Sequence, residues 1–281
     1  MAISSNAETD HIQKLFNVEK AVIGVVHCPA FPGAPRYDGR SVDDLIEAAC
    51  ADARAYRDGG VDGLIVENHG DVPFLRPGDI GPETTAFMTA ATRAVIAETG
   101  LPTGINILAN APIPALATAA ASNACFVRVN QWANAYVANE GLLDGEAALA
   151  LRYRRQIAAE GVAIFADSHV KHGAHAITSD RSIEELTRDL EFFDADVVIA
   201  TGQRTGDAVT DEELSTVSGA TGLPVIVGSG VTPENLPRIL GGSRGVIVGS
   251  SLKRDGVWWN EVETDRVRAF MQVARDVREA A

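Results

Sequence analysis

The chain has 281 residues, 46% of them hydrophobic and 22% charged, and a formal net charge of −14. That length and apolar content allow one barrel-sized domain or two small ones. The acidic balance, with no long basic stripe, argues against a nucleic-acid or anionic-membrane partner.

No apolar run is long enough to cross a bilayer, so no membrane span is expected. The segment Met1–Asn17 is polar and lacks the apolar core of a signal peptide, and residues 1–20 read as an N-terminal extension. Cys28, Cys50 and Cys125 are odd in number and form no CxxC pair, which fits reduced thiols in the cytoplasm.

From Ala21 onward, short apolar runs recur, each ending in polar or glycine residues. They are Ala21–Val26, Gly63–Val66, Thr103–Ile107, Cys125–Val129, Val162–Ala166, Ala195–Ala200, Leu223–Val227 and Gly245–Val248. Near-continuous Val/Ile content marks strands buried on both faces. Between them, helices are expected over Val42–Asp58, Glu83–Thr99, Ile113–Asn123, Gly145–Glu160, Ser182–Phe193, Asp211–Thr221 and Pro233–Leu240, with a closing helix over Glu263–Ala281. Ser41, Ser182 and Thr210 each offer a capping hydroxyl followed by first-turn carboxylates, and Pro233 suits a first helical position. Gly59-Gly60, Gly100, Gly161 and Gly222 suit helix ends. Strands alternating with helices in this way predict a (β/α)8 TIM barrel occupying residues 21–281 as a single domain. A doubly wound open sheet would need a glycine-rich first turn, and the turn His27-Cys28-Pro29-Ala30-Phe31-Pro32-Gly33 does not supply one.

Barrels place their active sites at the C-terminal ends of the strands. That rule selects His27, Glu67-Asn68-His69, Asn106, Arg128, Asn130, Asp167–His172, Thr201, Gly228-Ser229-Gly230 and Gly249–Asp255. The richest of these is Asp167-Ser168-His169-Val170-Lys171-His172, directly after the fifth apolar run. Lysine is scarce here: Lys14, Lys20, Lys171 and Lys253 are the whole set. A desolvated Lys can give up its proton where Arg cannot, so Lys171 could form a Schiff base. Asp167, His169, Lys171 and Glu67 are the catalytic candidates, for proton transfer or carbonyl chemistry. Glu67, Asp167 and His169 could also hold a divalent metal ion. Plain solvated loop residues are the alternative for the His and Lys positions.

Asn68, Asn106, Arg128, Asn130, His172 and Thr201 are candidates for orienting a substrate. For Arg128, neutralising Glu67 or Asp167 inside the barrel is an equal alternative. The seventh and eighth runs end in glycine turns at equivalent places, where backbone N–H groups can cradle an anion. Gly228, Ser229, Gly230, Gly249 and Ser250, with Lys253 adding charge, therefore form a candidate phosphate site. The alternative is that these glycines only permit tight turns. Trp258-Trp259 suits packing of the closing helix or an oligomer surface.

Several of these stretches resemble the BtpA/SgcQ family: Ile23–Pro29, Gly59–Asn68, Phe165–His172, Val227–Asn235 and Val248–Gly256, in order along about Val22 to Phe270. The resemblance implies a barrel akin to the ribulose-phosphate-binding group, which favours the phosphate reading. The family's names come from photosystem I biogenesis and from a sugar-catabolism gene cluster, and neither defines a reaction. Two departures border the expected pocket: Cys28 and Ala30, where Leu and Pro are commoner, and the loop Gln131–Tyr136. The sequence thus predicts a cytoplasmic, homo-oligomeric barrel enzyme acting on a small phosphorylated sugar or sugar-like substrate. Aldolase, isomerase, lyase and glycosidic-bond chemistry all remain open. A non-catalytic assembly or stability factor for photosystem I is the alternative.

Overall fold

A computed structural model describes residues 9–170, 173–202 and 208–280. Strands β1 (Ala21–His27), β2 (Gly63–Glu67), β3 (Thr103–Asn106), β4 (Phe126–Val129), β7 (Ala163–Asp167), β8 (Val197–Ala200), β9 (Val225–Val227) and β10 (Gly245–Val248) pair in parallel in that order. Strand β10 returns to β1 through Ala21↔Gly245 to Gly24↔Val248, closing the barrel. The expected (β/α)8 fold is therefore present, and each expected strand lies within a residue or two of an observed one. Two elements are additional: an antiparallel hairpin of β5 (Ala135–Ala138) and β6 (Gly141–Asp144) after β4, and a short helix α1 (His11–Phe16) before β1.

Helices α2 (Val42–Gly59), α3 (Pro82–Thr99), α4 (Pro112–Ser122), α5 (Ala147–Gln156), α6 (Ile183–Phe192), α7 (Asp211–Gly219), α8 (Leu236–Gly241) and α9 (Thr264–Glu279) follow the barrel strands. The capping signals act as expected. Ser41 Oγ accepts from the Asp44 N–H, and Ser182 and Thr210 form reciprocal capping boxes with Glu185 and Glu213. Gly60 and Gly100 close α2 and α3 in the left-handed conformation. Other signals misplace helix ends. Pro233 sits in a turn ahead of α8, which begins at Leu236, although the turn already bonds like a helix, with the Leu236 N–H on the Thr232 carbonyl at 3.0 Å and Asn235 Oδ1 taking the Thr232 N–H. Helix α5 ends at Gln156 rather than near Gly161, with Ala158 taking the left-handed turn, and α7 ends before Ala220 rather than Gly222.

Period-two alternation divides the strand residues into two cores. Val22, Val26, Leu64, Val66, Val127, Ile164, Val198, Val227 and Val246 face the helices in one large cluster. Ile23, Val25, Ile65, Phe126, Phe165, Ile199, Ile226 and Ile247 fill the barrel interior. Ile12 and Phe16 of α1 join that interior cluster, so part of the expected N-terminal extension plugs the barrel floor. Phe126 stacks on Phe165 with ring centroids 4.4 Å apart and meets Phe16 edge-on at 5.8 Å. Gly104 makes this possible, since a Cβ there would lie 2.3 Å from the Phe126 ring. No described helix is long and apolar enough to cross a membrane.

Candidate functional site at the barrel mouth

Two residues beyond the last inward-facing position of the plug on each barrel strand comes a polar residue or glycine. Val25 leads to His27, Ile65 to Glu67, Gly104 to Asn106, Phe126 to Arg128, Phe165 to Asp167, Ile199 to Thr201, Ile226 to Gly228 and Ile247 to Gly249. Alternation turns these side chains to the same inner face, one layer above the plug. Register confirms the level on one side, where His27 pairs with Glu67 and Glu67 with Asn106. A single polar tier thus closes the top of an apolar barrel. Glu67, Asn106, Arg128 and Asp167 are all buried within it.

The tier is organised around two carboxylates. Asp167 accepts from Arg128 Nη2 at 3.1 Å and from Asn130 Nδ2 at 2.9 Å, the internal neutralisation that the sequence allowed for. Burial works against the Arg128 charge, but Asp167 and Glu67 outweigh it and raise the pKa above the usual guanidinium value. Glu67 accepts from Asn106 Nδ2 at 2.7 Å through one oxygen and lies 2.9 Å from His69 Nδ1 through the other. Burial opposes the Glu67 charge as well, yet the His69 hydrogen bond and the Arg128 charge hold its carboxyl well below the usual range. His27, buried beside it, is pushed down to about 3 by desolvation and is a neutral imidazole at physiological pH. Three buried polar atoms of this region, Asn106 Oδ1, Arg128 Nε and Asn130 Oδ1, have no hydrogen-bond partner among the described residues. Such atoms are costly without a ligand or water to meet them.

The other candidates divide between lining and scaffolding. Asn68 is spent on structure: its Oδ1 accepts from the Leu108 N–H at 2.8 Å and its Nδ2 donates to Asp71, stapling the loops after β2 and β3. Thr201 Oγ1 donates to the His169 carbonyl. His169 stacks on His175 with centroids 3.9 Å apart, and burial followed by the His175 charge lowers its pKa. His169 and Thr201 line a cleft of about 430 Å³ between the β7 and β8 loops and helices α6 and α7, beside the tier. Lys171 and His172 lie outside the described residues.

At the glycine turns, the Gly228 N–H is used by the Ala200 carbonyl, so it is not available to an anion. A Cβ on Gly228 would approach Ile199 to 2.5 Å, and one on Gly249 would lie 3.1 Å from His27 Cε1, giving both glycines a steric reason to be there. Gly230 adopts φ +69°, and Ser251 Oγ donates to the Val231 carbonyl at 2.8 Å, joining the two turns. Lys253, expected to add charge to them, is instead buried against α2. Its ammonium donates to Asp52 at 2.7 Å and to the Asn260 carbonyl at 3.0 Å. Arg128 stands beside Gly228 instead: its Nη2 would lie 3.3 Å from a Cβ at that glycine.

Of the expected metal candidates, only Glu67 belongs to a group that could chelate an ion among the described residues. It stands with His27 and His69, while Asp167 faces Arg128 and His169 faces His175. The rim rule selected both histidines, but their convergence depends on the loop geometry after β2. Trp258 completes this corner. Its ring meets His69 at 4.3 Å and its carbonyl lies 3.2 Å from His27 Nδ1. The hairpin covers the opposite side, with Tyr136 and Leu143 packed against Ala109 and Val170.

Solved structures of similar shape share the fold. Tryptophan synthase from Mycobacterium tuberculosis matches with TM-score 0.58 at 19% identity, covering 96% of this chain and 99% of that one. Thiamine phosphate pyrophosphorylase from Pyrococcus furiosus matches with TM-score 0.55 at 15% identity, covering 92% and 96%. Sequence relatives are much nearer. An uncharacterized protein of Archaeoglobus fulgidus is 43% identical over 92% of this chain and 100% of its own length. The photosystem I biogenesis protein BtpA of Synechocystis is 37% identical over 92% of this chain and 88% of its own. The BtpA family model matches residues 18–276, and the chain belongs to the BtpA family.

Proposed function

We propose that this protein is a barrel enzyme acting on a small phosphorylated sugar or sugar-like molecule bound at the polar tier. The observation that carries the reading is the tier itself: a buried layer rich in charge, set on an apolar plug, with Asn106 Oδ1, Arg128 Nε and Asn130 Oδ1 lacking partners among the described residues. A layer built only for stability would satisfy these atoms or replace them with apolar ones. In this reading Glu67 and Asp167 are the proton-handling carboxylates and Asn106 and Asn130 meet substrate hydroxyls. His169, and Lys171 two residues further along the sequence, serve the reacting end. Backbone amides of Ser229, Gly230, Gly249 and Ser250 hold the phosphate, with Arg128 supplying the charge that Lys253 does not.

The name of the Synechocystis relative supports a second reading, an assembly factor for photosystem I. Thermal unfolding in the presence of phosphorylated sugars and of their unphosphorylated counterparts separates the two. A ligand at 100-fold its dissociation constant adds about 2.7 kcal/mol, or roughly 5–10 °C for a domain of this size. A shift confined to phosphorylated compounds is expected. No shift across the panel would remove the sugar-phosphate reading and leave the assembly role.

A further inference from the structure

Beside the carboxylate tier, His27, Glu67 and His69 bring one ligand atom each to within 4.8 Å of one another. Nδ1 of His27 faces the Trp258 carbonyl at 3.2 Å. A carbonyl only accepts, so the ring proton sits on Nδ1 and the lone pair on Nε2. That lone pair faces Glu67 Oε1 across 3.8 Å, too far for a hydrogen bond, so two electron-pair donors converge on one point. His69 Nδ1 reaches the same oxygen at 2.9 Å. The second oxygen of Glu67 is pinned by Asn106, a buried residue whose own Oδ1 has no partner among the described residues. An imidazole fixed through its far nitrogen by a carbonyl, and a carboxylate fixed through its far oxygen by an amide, are the outer contacts that metal ligands receive.

We infer that His27, Glu67 and His69 together bind one divalent transition-metal ion, through His27 Nε2, a Glu67 oxygen and a ring nitrogen of His69. Bonds of about 2.1 Å set neighbouring ligand atoms roughly 3–3.5 Å apart, so the group needs only a modest contraction to close on an ion. Where His69 Nδ1 is the ligand, its proton moves to Nε2 of the same partly exposed ring, and no proton is lost overall. Two imidazoles and one carboxylate suit zinc, manganese or iron, whereas magnesium and calcium call for oxygen ligands. Three protein ligands leave positions open to a water or to a substrate oxygen, which the ion would polarise. That catalytic use rests on the sugar-phosphate reading; the binding of the ion does not.

The test is calorimetric titration of chelator-treated full-length protein with Zn²⁺ and, separately, Mg²⁺, with no sugar present. One Zn²⁺ per chain and no comparable Mg²⁺ binding are expected. Asn106→Ala, which only unpins the carboxylate, should weaken Zn²⁺ by about 10–100-fold. His69→Ala, on a partly exposed loop and so safe for folding, should weaken it further. A folded wild-type protein that takes up no Zn²⁺, or a His69→Ala variant that binds it undiminished, would overturn the assignment. Zn²⁺ binding without any response to sugar phosphates would leave the metal site standing and remove the substrate reading instead.

Discussion

The two ends of the barrel use buried carboxylates in opposite ways. At the floor, Asp62 accepts from the Val22 N–H at 2.7 Å and from Arg278, and Asp196 accepts from the Ile164 N–H at 2.7 Å while Arg154 stands 3.6 Å away. Each spends its charge on a strand's backbone and a half-buried arginine, fastening loops beneath an apolar interior. At the mouth, Glu67 and Asp167 spend theirs on other side chains of the tier, and amide and guanidinium atoms beside them have no partner among the described residues. The floor is finished as a structure. The mouth leaves buried polar atoms unmet among the described residues, and the proposed ligand site rests on this contrast more than on the fold.

The comparison can be broken by substitution. The largest losses should come from Phe126→Ala, which empties the stacked interior, at about 3–5 kcal/mol. Urea unfolding would measure it, and any ligand response should survive in the folded fraction. Asp167→Ala should cost a similar 3–5 kcal/mol or so, because it strands the Arg128 charge in the interior. Unlike the floor variant, it should also abolish ligand response. An Asp167→Ala protein as stable as wild type would mean that the pair is not buried as described.

A smaller loss, about 1–3 kcal/mol, is expected for Asp62→Ala, which leaves the Val22 N–H unsatisfied. Its ligand-induced shift should equal that of wild type; a reduced shift would deny that floor and mouth are separable. The mildest test is chemical. Burial pushes the Cys125 thiol up to about 11. Below that value the thiolate is the minor form, so its alkylation should be slow at pH 8 and quicken about tenfold per pH unit until the pKa is reached. Alkylation near pH 8 as fast as that of the urea-unfolded chain would show that the lower end of β4 opens readily.

The strand pattern was legible in the sequence because a parallel barrel buries both faces of every strand, and the resulting Val/Ile runs stand out. Capping at Ser41, Ser182 and Thr210 was legible for a similarly local reason. Long-range geometry was not. Helix α1 is too short to announce itself, and its role depends on Ile12 and Phe16 reaching an interior that exists only after closure. Lys253 follows a glycine turn in sequence, yet its side chain turns to Asp52 on α2, 201 residues away. Glu67 was chosen for its place at a strand end, but its partners His27, His69 and Asn106 come from three chain segments, and strand ends alone do not say which pairs meet.

The central claim is that the polar tier is held for a ligand. It is tested most directly by the melting temperatures of wild type and Glu67→Gln, each with and without a phosphorylated sugar that stabilises the wild type. The substitution keeps the shape of the side chain and an acceptor for Asn106 but removes a charge that the fold stabilises, so the ligand-free variant should melt below wild type, and each protein's ligand shift is read against its own ligand-free melting temperature. The account predicts that the ligand shift of roughly 5–10 °C disappears in the variant. An equal shift in both proteins would place the ligand elsewhere and contradict it.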